Sequence, residues 1–160
     1  MIVVADSSPL HYLILIEQAD LLRRLYSEVV IPEAVLAELS RPGAPVVVSG
    51  WLLSPPEWLR MMPVSVEEIA NVTESLDLGE RAAIALAQTM RADLLLIDEA
   101  SGRREASRRH LRFTGTLGVL RAAAENGFVD VEDVLRRLQA TNFYLAPTLI
   151  EEQFGQWLGK

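Results

Sequence analysis

Four carboxylates stand where alternating strands and helices would gather them. Asp6 directly follows the apolar run Ile2–Ala5, and Asp98 directly follows Leu94–Ile97. Glu38 lies between one and two turns into a helical stretch that opens at Pro32. Glu80 lies in the first turn of an alanine-rich stretch that opens at Asp77. Like charges drawn together are unfavourable unless some protonate or cations bind. Magnesium and manganese suit such a set, since hard cations prefer oxygen and keep several waters. Two such ions about 3.5–4 Å apart can clamp an in-line phosphodiester displacement, one activating water and the other stabilising the leaving oxygen. That chemistry needs no histidine or cysteine nucleophile, and the chain has only His11, His110 and no cysteine. Taken singly, each acid also has a structural reading. Asp6 can begin a turn, Glu38 can be a solvated helix residue, Glu80 completes a capping box, and Asp98 can cap a following helix. The functional reading therefore rests on all four meeting at one place.

The elements that would bring them together are legible as patterns. Ile2–Ala5, Glu28–Ile31, Leu94–Ile97 and Leu111–Thr114 read as strands, the apolar ones as buried. Ser8-Pro9 fits a helix start, with the helix running to about Leu25 and its middle, Leu13–Ile16, apolar nearly all round. A second helix runs from Pro32 to about Ser40, ended by Arg41-Pro42-Gly43. The proline-rich stretch 44–64 predicts a short helix and an irregular connection. Ser65–Glu68 and Asp77–Glu80 are capping boxes, the second opening a helix to about Met90. Ser101–His110, Thr116 to about Gly127, 130–140 and 147–158 are further helical patterns. This alternation predicts an α/β fold, a parallel sheet with helices on both faces and right-handed crossovers. Sites in such sheets form beyond the carboxyl ends of the strands, the edge where Asp6 and Asp98 would project.

The chain has 160 residues, half of them hydrophobic, which suits one domain over 1–160. The absence of cysteine excludes disulfides and thiolate metal sites and fits a reducing cytoplasm. The N-terminus lacks a basic region and reads as a strand rather than a signal peptide. No apolar run approaches a membrane span, so no membrane partner is expected. The net charge of −7 argues against a general nucleic-acid-binding surface. Segment 101–112, however, carries Arg103, Arg104, Arg108, Arg109 and Arg112 against Glu105 alone. Arginine binds phosphate through a planar fork, although genome composition explains the bias towards arginine equally well. The expectation is a positive rim near 103–112 beside a negative pocket.

At this point the sequence resembles a known family. Val3-Val-Ala-Asp-Ser-Ser-Pro-Leu10, Ile31-Pro-Glu-Ala-Val-Leu-Ala-Glu38, Leu76-Asp-Leu-Gly-Glu-Arg-Ala-Ala-Ile-Ala-Leu-Ala87 and Leu94-Leu-Leu-Ile-Asp98 occur in the order of PIN domains. Asp98 to Arg103, followed by Thr114-Gly-Thr-Leu-Gly-Val-Leu120, resembles the VapC-like branch DUF3368. The resemblance covers nearly the whole chain. It implies a PIN-like domain with a parallel sheet of four or five strands in order 3-2-1-4-5. It implies an endoribonuclease dependent on Mg2+ or Mn2+, with one or two ions, acting on single-stranded or structured RNA. It further implies a toxin blocked by a small antitoxin protein, and a homodimer. By motif match, Asp6, Glu38, Glu80 and Asp98 take the catalytic, metal-binding roles.

Other residues have supporting roles on the same resemblance. Ser8 matches a hydroxyl residue that would orient Asp6 or a metal-bound water, beside its stronger reading as a helix cap. Glu99 would add an outer acid or be solvated, and Asp77 reads mainly as a cap. Thr114 and Thr116 flank Gly115 before a helix N-terminus, which can hold phosphate or simply be capped. Arg103 and Arg104 are candidate RNA phosphate contacts. Two other classes compete. A phosphate-accepting receiver domain needs a lysine after a later strand, and the one lysine here is Lys160. A catalytically silent PIN-fold binding module would keep the fold without turnover.

Overall fold

The alternation of apolar runs resolves into a five-stranded sheet in the computed structural model, which describes residues 1–159. In chain order the elements are β1 (Val3–Ala5), α1 (Ser7–Leu15), α2 (Asp20–Tyr26), β2 (Val29–Pro32), α3 (Glu33–Leu39), α4 (Val46–Leu52), β3 (Leu59–Met62) and α5 (Val66–Ala70). Then come α6 (Leu78–Met90), β4 (Leu94–Leu96), α7 (Ala100–Arg108), β5 (Phe113–Thr114), α8 (Thr116–Glu125), α9 (Val131–Gln139) and α10 (Pro147–Phe154), with a short 3-10 turn at Gly155–Trp157. The strand order is β3-β2-β1-β4-β5 and every pairing is parallel. The α/β class, the helices on both faces and the order 3-2-1-4-5 are as expected.

Strand residues alternate between two cores, as a sheet covered on both faces requires. Val3, Ala5, Leu94 and Leu96 face one core, built with Leu10, Leu13 and Ile14 of α1 and Val119 and Leu120 of α8. Val4, Leu95 and Ile97 face the other, built largely from α6 through Ala83, Ile84 and Ala87. The small alanines let α6 lie close against the sheet, and its residues from Gly79 to Ala87 are buried apart from Arg81.

Two expectations need correction. The helix expected from Ser8 to Leu25 is two helices. Glu17 takes a left-handed conformation at φ 61° and ends the first, and α2 restarts at Asp20. The expected burial of Leu13–Ile16 does hold for Leu13, Ile14 and Ile16, each at most 2% exposed. Stretch 44–64 holds the fifth strand, β3, beyond the expected short helix. It pairs along its length with β2, Val29 opposite Leu59 through Pro32 opposite Met62. Its place at the sheet edge explains the nearby prolines, which a central strand would not tolerate.

Candidate functional site

The register of β1 against β4 sets the site. Ala5 is level with Leu96, and the Asp6 amide donates to the Leu96 carbonyl at 2.9 Å. Asp6 and Asp98 therefore leave neighbouring central strands at the same edge. Helix α3 brings Glu38 there because it begins directly where β2 ends. Helix α6 brings Glu80 because its N-terminus lies at that edge, before the helix runs back to feed β4.

Hydrogen bonds tie two of the acids in place. Glu38 accepts from the Ser7 hydroxyl at 2.7 Å and from the Gly79 backbone amide at 2.9 Å. A Cβ at position 79 would overlap the Glu38 carboxylate, so any other residue there must push that side chain aside. Asp98 accepts from the Ser8 hydroxyl at 2.8 Å, and from the Thr116 amide and hydroxyl at 2.7 Å each. Asp98 thus caps α8 across the sheet edge, not the adjacent α7. The first turn of α8 is occupied by this carboxylate rather than open to a phosphate, and Ser8 serves Asp98 rather than Asp6. Gly115 lets these groups close up, since a Cβ there would collide with both Asp98 and Arg103.

The other two acids are buried and short of partners. Asp6 is 2% exposed, and its Oδ1 has no hydrogen-bond partner among the described residues. Glu80 completes the capping box, accepting from the Asp77 amide at 3.2 Å while Asp77 accepts from the Glu80 amide at 2.8 Å. Its Oε2 is nevertheless buried without a partner, so the structural and functional readings of Glu80 coexist. Burial pushes the Asp6 carboxyl up to about 8; the Ser7 amide opposes this, while the charges of Asp77, Glu38 and Glu80 add to it. Burial likewise pushes Glu80 up to about 7; the Asp77 amide opposes the rise, and the Asp77 and Glu99 charges reinforce it.

Around Asp6 and Glu38 opens a cleft of about 440 Å3, walled also by Ser8, Asp77 and Glu99. His11 and Arg41 line it too; sequence reasoning had passed over both as contributors. Burial and the Arg41 charge lower the His11 pKa, which favours a neutral imidazole. Ser7 and Gly79 were also missed. A glycine inside the second capping box, at a helix position where it costs about 1 kcal/mol against alanine, was the available signal.

Helix α7 and the turn after it distribute the arginines of the expected positive rim over 103–112 among different surroundings. Arg109 bonds the buried Glu105 at 2.7 Å, the Asn71 carbonyl and Gln88, and Arg108 lies 3.5 Å from Glu105. Arg104 and Arg112 are exposed. Arg103 alone of these turns to the site, donating to the Ile97 carbonyl at 3.0 Å.

The donor set fits a hard divalent cation in kind: every acid offers oxygen, and two buried carboxylate oxygens lack partners. The arrangement is open, however. Among the described residues, no group of three or more acids or histidines is close enough to cage a metal ion. No helix of the described residues is long and apolar enough to cross a membrane. A sequence profile described as a PIN domain, DUF3368, matches residues 2–157. No curated protein matches the chain.

Proposed function

The chain belongs to the PIN-domain family, a nuclease-type fold that generally works with divalent metal ions, and on that premise we propose that it is a metal-dependent endoribonuclease. The observation that carries this reading is the pair of buried, unpartnered oxygens, Asp6 Oδ1 and Glu80 Oε2, at the carboxyl edge of the sheet. A carboxylate oxygen kept from water without a partner is costly, and a cation is the partner that relieves it. Asp6 and Glu80 would hold Mg2+ or Mn2+ with Glu38 and Asp98 completing the cluster. When bound, such an ion supplies an activated water and offsets charge on the departing oxygen.

The chain's own groups do the rest. Ser7 and the Gly79 amide fix Glu38, and Ser8 and Thr116 fix Asp98, so both carboxylates are oriented before substrate arrives. Arg41 and Arg103 place positive charge on either side of an otherwise acidic surface, where a phosphodiester must dock. His11, whose pKa is lowered by burial and Arg41, offers a neutral imidazole within the cleft. In the cell this activity would make the chain a cytoplasmic toxin, homodimeric and silenced by a small antitoxin protein. The whole chain acts as one PIN domain in this reading.

The catalytically silent module has one observation in its favour, the absence of a closed acidic cage among the described residues. RNA cleavage by the purified chain with Mg2+, Mn2+ or EDTA decides between them. Metal-dependent cleavage lost in Asp6→Asn and Glu38→Gln supports the nuclease. No cleavage in either metal, with tight binding of a protein partner, supports the module.

A further inference from the structure

The surface around the acidic cleft continues past Asp98. A second cavity of about 270 Å3 opens on that side, walled by Arg103, Phe113, Phe143, Tyr144 and Gln153 together with Asp98. Two short segments separate it from the cleft. Along one, Glu99 lines the cleft and Asp98 the cavity. Along the other, Asn142 lines the cleft, while Phe143 and Tyr144 line the cavity. The partition is itself braced: Tyr12 donates to Asn142 at 2.8 Å and meets the Phe143 ring edge-on, with centroids 4.9 Å apart.

The lining has a definite chemical character. Tyr144 is 81% exposed, an unusual fate for a large ring, and Phe113 and Phe143 are half-buried beside it. The Arg103 guanidinium lies 5.6 Å from the Phe113 ring centroid, with its Nε pinned to the Ile97 carbonyl. Gln153 accepts from Arg121 through Oε1 at 3.2 Å, which orients its amide nitrogen as a donor. Aromatic faces, a fixed guanidinium plane and one amide are the groups that stack an unpaired base and bond its edge. The volume lies just below the roughly 300–1,000 Å3 typical of ligand pockets, which suits a single planar group.

We propose that this cavity receives one unstacked nucleobase of the RNA, adjacent to the phosphate held at the acidic cleft. The proposal rests on the nuclease reading for the position of the phosphate. A base still stacked in a duplex cannot enter, because it must first leave its neighbours at a cost in stacking and pairing. Arg103 lines this cavity beside Asp98, on the side from which it would meet the phosphate that links the two sites.

The test uses the full chain and short oligoribonucleotides carrying a fluorescent adenine analogue, with binding measured in EDTA and cleavage in Mg2+ or Mn2+. Tyr144→Ala weakens binding of the single strand by about 5- to 150-fold, the range for loss of one base–aromatic stack. Tyr144→Phe keeps the stack and restores binding. The analogue's fluorescence is quenched at one position of the oligonucleotide and unquenched in Tyr144→Ala. Duplex RNA of the same sequence binds weakly and equally to all three proteins. Unchanged single-strand binding by a folded Tyr144→Ala protein overturns the base site, as does duplex RNA cut as fast as single strand. Loss of a protein partner in Tyr144→Ala with RNA binding unchanged also overturns it. If the base site behaves as described but neither metal supports cleavage, the nuclease reading fails and the base site stands.

Discussion

Replacing Asp6 by asparagine should stabilise the metal-free protein, and by an amount that grows with pH. In the unfolded chain this carboxyl ionises near its ordinary value of 3.8; in the fold it is pushed up to about 8. An acid raised on folding contributes stability that is fully present below pH 3.8 and is lost as pH climbs towards 8. Across that window the unfolded chain has released a proton that the folded chain still holds. The loss is about 1.4 kcal/mol per pH unit, hence about 4 kcal/mol by pH 7 and about 2 kcal/mol by pH 5. Glu80 adds a loss of the same sign between 4.5 and about 7 in both proteins, so its own part largely drops out of the comparison, while its repulsion of Asp6 does not. Asparagine keeps the shape and removes the titration, but leaves a buried amide short of partners, a cost of about 1–3 kcal/mol. The net gain is about 1–3 kcal/mol at pH 7 and near zero at pH 5. For a chain of this size that is a rise in Tm of about 2–10 °C at pH 7. Thermal unfolding by calorimetry in EDTA, at pH 5, 6, 7 and 8, measures it directly. A difference in Tm that does not change with pH, or an asparagine variant less stable at pH 8, refutes the claim that Asp6 is a buried, uncompensated acid.

Four further outcomes follow from the same geometry. Mn2+ at about 100 times its dissociation constant at pH 8 should stabilise the wild type by about 2.7 kcal/mol there, and less at the same concentration at pH 6 because protons compete for Asp6 and Glu80, and should leave Asp6→Asn nearly unmoved in a thermal-shift assay. Gly79→Ala should lower cleavage by about 100-fold through displacement of Glu38, and chemical denaturation should show a loss of stability that is recovered when Glu38→Ala is added. Arg103→Glu should weaken RNA binding and reduce its salt slope by about one, read by fluorescence anisotropy. Arg109→Ala should leave RNA binding unchanged yet cost about 3 kcal/mol in urea denaturation, because Glu105 is left buried beside only the exposed Arg108.

The sheet and the positions of its acids were legible because both depend on local rules. Buried parallel strands are short apolar runs, and residues just past their ends share one edge. Glu80 was legible as a cap because a capping box is a spacing of three. What escaped depends on contacts between distant segments. Nothing local in Leu59-Arg-Met-Met62 announces an edge strand; its order comes from pairing with Val29–Pro32. Nothing near Ser8 or Thr116 says that both hydroxyls will converge on Asp98, which lies 90 residues from one and 18 from the other. The arginines are divided for a geometric reason. Counted along the chain they are one basic run, but a helix distributes consecutive residues around its circumference. Glu105, the one acid in that run, takes up Arg108 and Arg109, and Arg103 is left to face the site.

Fixing and leaving unpaired are separate tasks here, and different acids perform them. Glu38 and Asp98 are anchored by hydroxyls and backbone amides, which sets the shape of the edge whatever the pH or the ligand. Asp6 and Glu80 are the ones stripped of water and left with an open oxygen each. An arrangement built only for stability would pair those oxygens as it pairs the other two, and serine and threonine donors are already to hand in the first turns of α1 and α8. Burying Asp6 without such a partner makes the folded chain worse off with every pH unit up to about 8. That cost reverses only when Asp6 and Glu80 give up their protons to take a cation. The same exchange ties metal affinity to pH, and it makes the loss of stability in the empty site and the gain on metal binding two readings of one charge.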